Sequence, residues 1–135
     1  PMWKQYERWH DIYYEGSTET YRSLEAMAKE LNTIVRPDQT LATHDIGAVG
    51  YFADYKVLDL VGLENADVIK YDDNRTLAAY IEQQKPDYLL IFPDWDVYFL
   101  HLDTANQPDR YELIKQYPGG AVRPQTYLLF KVHYN

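Results

Sequence analysis

Two apolar runs between residues 40 and 63 each end on an acidic residue, and these acids are the groups in the chain most able to do chemistry. The run Thr40–His44 is followed by Asp45, and the run Lys56–Leu58 is followed by Asp59. Side chains just past the carboxyl ends of adjacent parallel strands converge on one crevice, where open α/β sheets usually bind ligands. We therefore expect His44, Asp45 and Asp59 to meet at one edge of a sheet.

Three roles are open for these side chains. They could form a general acid–base pair, or they could contact a ligand, including a cation, through carboxylate oxygens. The third role is structural: Asp45 would be the N-cap of a short helix, and Asp59 would accept hydrogen bonds from backbone amides. The sequence favours the structural role over ligand contact, and ligand contact over catalysis.

A third apolar run, Tyr88–Phe92, leads into Asp94, Trp95 and Asp96, which we expect at the same edge. A tryptophan between two carboxylates is typical of a sugar-binding surface, because the ring stacks on the sugar while the acids accept hydrogen bonds from hydroxyls. The alternative is a loop in which Trp95 covers the core, and the sequence favours this alternative. Asp94 and Trp95 remain candidate ligand contacts.

Other catalytic patterns are missing from the sequence. Gly47 and Gly50 lack the spacing of a dinucleotide-binding turn, and neither a phosphate-binding loop nor a nucleophile elbow occurs. The chain has no cysteine, and its four histidines do not have the spacing of metal ligands. We therefore predict no cofactor and no metal site in this chain.

The positions of apolar, proline and capping residues predict an α/β fold. We expect a mostly parallel central sheet with helices on both faces and a C-terminal antiparallel hairpin at the edge. The predicted helices run from Ser17 to Arg36–Pro37, from Ile46 to Phe52 with Asp45 as cap, and from Asp72 or Asp73 to about Gln84. The predicted strands are Thr40–His44, Lys56–Leu60, Tyr88–Phe92, Tyr111–Tyr117 and Thr126–His133.

Length and composition indicate one globular domain, which we assign to residues 17–135 of the 135. In residues 1–16, Trp3, Tyr6, Trp9 and Tyr13 recur at helical spacing. Such an aromatic face is typical either of a juxtamembrane segment or of a terminal helix that packs on the core. The formal net charge of −8 excludes nucleic acid as an expected partner, since phosphate binding requires basic residues.

Three ordered motifs give the chain a family resemblance. They are His44-Asp45-Ile46-Gly47-Ala48-Val49-Gly50-Tyr51-Phe52, then Val57-Leu58-Asp59-Leu60-Val61-Gly62-Leu63, and then Lys85-Pro86-Asp87-Tyr88 with Phe92-Pro93. From about residue 20 to the end, the chain resembles the extracytoplasmic C-terminal region of polytopic glycosyltransferases. These membrane enzymes are similar to dolichyl-phosphate-mannose protein mannosyltransferases. The resemblance adds Tyr51 to the candidate ligand contacts.

The resemblance implies a domain that follows the last membrane span and faces away from the cytoplasm. The catalytic acid of that family lies in a loop between early membrane spans, so no catalytic residue is expected in this chain. The implied partners are the enzyme's own transmembrane region and a lipid-linked sugar or glycan acceptor. The alternatives are a free-standing α/β enzyme that uses Asp45 and Asp59 on a small sugar or phosphorylated substrate, and a plain interaction module.

Overall fold

The structure is a computed structural model that describes residues 22–61, 74–120 and 124–134. Several expectations lie outside these residues: the aromatic face of segment 1–16, the cap at Ser17, and the cap at Asp72 or Asp73.

Five strands form one mixed sheet. The strands are β1 (Thr40–Thr43), β2 (Lys56–Asp59), β3 (Tyr88–Ile91), β4 (Tyr111–Tyr117) and β5 (Tyr127–Val132). Their spatial order is β2-β1-β3-β5-β4. Strand β1 is parallel to β2 and β3, whereas β5 is antiparallel to both β3 and β4. The α/β class is therefore confirmed, but the expected mostly parallel sheet is wrong.

The sheet is mixed because the connections between strands before β3 contain helices, whereas those after β3 do not return the chain in the parallel direction. Helices lie between β1 and β2 and between β2 and β3, as parallel neighbours require. After β3 the chain passes through short turns to the edge strand β4, and β5 then returns between β3 and β4. The antiparallel pairing of β4 and β5 agrees with the predicted hairpin, although residues 121–123 of its connection are not described.

Helices flank the strands in the described part of the chain. Helix α1 is described over 22–34, α2 is Gly47–Phe52, and α3 is Asn74–Gln84. Helix α1 ends before Arg36–Pro37, as expected of a residue that precedes proline. No helix in residues 22–61, 74–120 and 124–134 is long and apolar enough to cross a membrane.

The core has two layers, because successive strand residues point to opposite faces of the sheet. One layer joins α1 and α2 to the sheet and contains Met27, Leu31, Val35, Leu41, Val49, Tyr88, Leu90 and Leu129. The other joins α3 to the opposite face and contains Leu77, Tyr80, Ile81, Ala42, Leu58, Leu89, Ile91 and Phe130. All four residues of β3 are buried, which is the burial expected of a central strand covered on both faces.

Replacement of Leu89 by alanine tests this assignment of β3 to the centre of the core. Leu89 has no exposed surface, so Leu89→Ala should lower the free energy of unfolding by about 2–5 kcal/mol. Leu113 is a matched control, because it is a leucine on β4 that is exposed. Urea unfolding of both variants measures the difference, and equal losses would contradict the assignment.

Candidate functional site

A cluster of four rings lies where β1 and β3 end and β5 begins. We call His44, Phe92, Trp95 and Tyr127 the aromatic cluster. The rings of His44 and Trp95 are stacked, with centroids 4.5 Å apart and planes 5° apart. Phe92 lies 4.5 Å from His44 and 4.4 Å from Tyr127, measured between ring centroids. Trp95 and Tyr127 thus reach His44 from two different elements of the fold.

His44 also accepts a hydrogen bond from the backbone. The amide N–H of Phe92 donates to His44 Nε2 at 3.0 Å. Because a backbone amide only donates, Nε2 is the acceptor in this bond. His44 is 9% exposed, so the bond is well shielded from water.

Asp45 bonds across the sheet instead of capping α2. The hydroxyl of Tyr127 donates a hydrogen bond to Asp45 Oδ2. The N-cap position of α2 is occupied by Ile46, which makes no side-chain cap, so the predicted capping role of Asp45 is wrong. Its carboxylate is turned toward β5, because that strand brings a phenol hydroxyl within reach.

Asp59 lies at the same edge and is buried. In the register of β1 and β2 it stands opposite Thr43, and its Oδ1 accepts a hydrogen bond from the Val61 amide at 2.9 Å. This bond to a backbone amide is the structural role that the sequence favours. Asp45 and Asp59 are therefore at one edge, as expected, and each carboxylate has a hydrogen-bonded partner.

Trp95 covers the core. It is half-buried, and besides stacking on His44 it packs against the core layer formed with α3. This geometry agrees with the alternative that the sequence favours, in which Trp95 closes the end of the core.

Asp96 has a different role from the other acid beside Trp95. Its carboxylate is buried and accepts four hydrogen bonds from the segment that follows. Oδ1 accepts from the amides of Leu102 and Asp103, and Oδ2 accepts from the amide and hydroxyl of Thr104. In the sugar-binding alternative both carboxylates beside Trp95 would face a ligand, but burial and these bonds turn Asp96 inward, whereas Asp94 is exposed.

The residues after Asp96 form an exposed apolar surface, which we call the 97–99 patch. Val97, Tyr98 and Phe99 are 62%, 65% and 45% exposed, whereas Asp96 and Leu100 on either side are buried. The turn closes in π fashion, with the His101 amide donating to the Asp96 carbonyl at 2.7 Å. Because both ends are anchored, the three residues between them project into solvent. Such π turns are rare and occur frequently at functional sites.

The candidate ligand residues are only partly brought together. His44, Asp45 and Trp95 belong to one contact network, and Asp94 adjoins Trp95 in sequence. Tyr51 is 81% exposed on α2, and its ring meets Phe52 edge-on at 4.9 Å. Within the described residues no group of three or more His, Cys, Asp or Glu side chains could hold a metal ion.

The sequence analysis missed Phe92 and Tyr127 as members of this site. Tyr127 is 82 residues away from Asp45, so no local spacing relates them. They meet because β5 pairs with β3, with Leu128 opposite Ile91. The sequence offers two signals, the apolar run that ends at Phe92 and the run that starts near Tyr127. They predict strands but do not specify which strands are neighbours.

Two further tyrosines on the α1 side of the sheet stay protonated. Burial raises the pKa of Tyr55 to about 12. Burial also raises the pKa of Tyr117, and the negative charge of nearby Glu30 raises it further. Neither phenol is therefore a base at neutral pH.

Replacement of Asp96 by asparagine tests its structural role. Hydrogen bonds to a charged acceptor contribute more than neutral ones, so Asp96→Asn should lower the free energy of unfolding by about 2 kcal/mol or more. Asp94→Asn, an identical change at an exposed position two residues away, should stay within about 0.5 kcal/mol. Chemical unfolding compares the two variants, and a neutral effect at position 96 would contradict the role.

One family model matches this chain. It covers residues 9–130, and its description is a domain of unknown function (DUF8728). No curated protein and no solved structure is significantly similar to the chain. Because the match spans most of the 135 residues, the chain belongs to the family described as the domain of unknown function DUF8728.

Proposed function

We propose that this chain is the extracytoplasmic domain of a membrane-embedded glycosyltransferase, that it is not catalytic alone, and that it contacts a glycan acceptor. The observation that carries the glycan contact is the 97–99 patch. It lies after β3 on the carboxyl side of the parallel strands, where open α/β sheets usually bind ligands. Exposed aromatic side chains there offer flat apolar faces with a polar tip on Tyr98.

The charge of this edge favours an uncharged glycan over a phosphorylated ligand. Asp45 and Asp94 follow strands at this edge and Asp59 is the last residue of β2, and their carboxylates repel phosphate. A sugar hydroxyl, in contrast, can donate to an exposed carboxylate such as Asp94. We therefore assign the patch to the acceptor glycan, while a lipid-linked sugar and the transmembrane region are partners of the whole enzyme.

The membrane part of the proposal is supported by the three ordered motifs at residues 44–52, 57–63 and 85–93. The reading frame that precedes residue 1 should encode several apolar segments of about 20 residues each, because each membrane span requires that length. Sequencing of the gene upstream of residue 1 checks this. A complete upstream frame without such segments would end the glycosyltransferase proposal.

Titration with sugars tests the glycan contact. Neutral manno- and gluco-oligosaccharides at millimolar concentration should shift the NMR signals of Tyr98, Phe99 and the Trp95 indole, whereas sugar phosphates should bind more weakly. Tyr98→Ala should weaken the neutral-sugar affinity about tenfold, because it removes one stacking face.

The matched control is Leu113→Ala, which removes an exposed apolar side chain from β4 and should leave the affinity unchanged. Signals that do not move with any neutral sugar would contradict the glycan contact. Stronger binding of sugar phosphates would contradict the charge argument and favour the lipid-linked donor.

A further inference from the structure

The ring of His44 holds the segment after β3 in two ways. Its Nε2 accepts the hydrogen bond of the Phe92 amide at 3.0 Å, at the residue where the short helix α4 (Pro93–Trp95) has its N-cap. Its face stacks on Trp95, the last residue of α4. The 97–99 patch follows directly, so one imidazole fixes the start of the segment that carries the patch.

We propose that His44 is a pH-sensitive latch that holds residues 92–95 closed in its neutral form and releases them when it takes up a proton. Protonation at Nε2 replaces the acceptor lone pair with an N–H, which then faces the Phe92 N–H. Two donors cannot bond to each other, so the bond between His44 and Phe92 breaks. The step consumes one proton from solvent and changes no covalent bond other than the new N–H.

The direction of the pH effect follows from this bond. In the released or unfolded chain His44 is free to take up a proton near pH 6.5, the ordinary range of histidine. In the closed segment it can take up the proton at Nε2 only by losing the bond. The open form therefore binds more protons, and the closed form is most stable above that pH and loses stability as the pH falls.

Charged groups on the neighbouring elements modulate the latch. Asp45 adjoins His44 and accepts the hydroxyl of Tyr127, Asp59 stands at the end of β2, and Asp94 adjoins Trp95. The Asp45 carboxylate favours the imidazolium, so its charge moves release toward higher pH. Asp45→Asn should accordingly move release to lower pH.

The two other described histidines behave differently. His101 is exposed, and His133 Nε2 lies 2.8 Å from Glu112 Oε2. His101 meets the segment that begins at Phe92 through its backbone amide, which donates to the Asp96 carbonyl at 2.7 Å, and His133 pairs with Glu112 of β4. These two histidines are therefore controls for any general effect of acid.

NMR of the full chain between about pH 7.5 and pH 5 tests the latch, because this range spans the ordinary protonation of histidine. The protection of the Phe92 amide against hydrogen exchange should fall about tenfold as His44 takes up its proton, and the Trp95 indole signal should move with the same midpoint. His44→Gln is the decisive variant, since a side-chain amide oxygen can still accept but does not titrate.

In His44→Gln the Phe92 amide should stay protected across the pH range, whereas His101→Gln should respond as the unaltered chain does. His44→Phe, which has a ring but no acceptor, should lose the protection at every pH. If one of these variants does not fold, the Phe92 and Trp95 signals of the unaltered chain still decide. A Phe92 amide that stays protected after His44 is protonated would overturn the latch, and so would an unchanged pH response in His44→Gln.

The consequence for the patch rests on the proposed function, whereas the latch itself does not. If the 97–99 patch binds a glycan, the affinity for neutral oligosaccharides should fall over the same pH range in the unaltered chain and stay constant in His44→Gln. Absence of glycan binding with an intact pH response of Phe92 would overturn only the glycan contact. Glycan binding without a pH response of Phe92 would overturn only the latch.

Discussion

Strand β3 pairs with β1 on one side and with β5 on the other, and the contacts at the end of the sheet depend on this pairing. Its side chains are buried on both faces. A buried strand must have its backbone groups satisfied wherever it ends. At Phe92 the ladder to β1 has ended, since the pairing stops at Leu90 opposite Thr43, and the side chain of His44 supplies the acceptor that the backbone no longer gives. The end of this strand ladder thus accounts for the hydrogen bond between Phe92 and His44.

The same edge contains two kinds of acid that are alike in sequence and different in structure. The carboxylate of Asp96 accepts hydrogen bonds from residues 102–104, and this anchoring leaves the side chains of 97–99 exposed to solvent. Asp94 is two residues earlier and exposed. On one helical turn a two-residue step places side chains on nearly opposite sides, so one acid faces the protein and the other faces solvent. The exposure of the 97–99 patch and the burial of the Asp96 carboxylate therefore both result from the turn at residues 96–100.

The sequence predicts features that depend on local chemistry. The apolar run at β3 and the alternation of helices and strands are visible in the residues, and the antiparallel pairing of the last two strands follows from them. The position of β5 between β3 and β4 is not visible, because strand order depends on long-range packing. For the same reason the hydrogen bond from Tyr127 to Asp45 could not be foreseen. Aspartate is a good capping residue, so the sequence predicted that Asp45 would accept from the backbone amides of α2 and not from a distant tyrosine.

Whether this edge could be a catalytic centre depends on the lone pair of His44 Nε2, for which the Phe92 amide and a substrate proton would compete. A general base needs a free acceptor within reach of the substrate proton, but Nε2 of His44 is occupied by the Phe92 amide and is shielded by Trp95. Asp45 is bonded to Tyr127, and Asp59 accepts from the Val61 amide. Use of His44 Nε2 as a base would first cost its bond to the Phe92 amide, and full release of the Asp45 carboxylate would cost its bond to the Tyr127 hydroxyl. The arrangement therefore engages an acceptor atom of each of His44, Asp45 and Asp59 within the protein, while the side chains of 97–99 stay exposed.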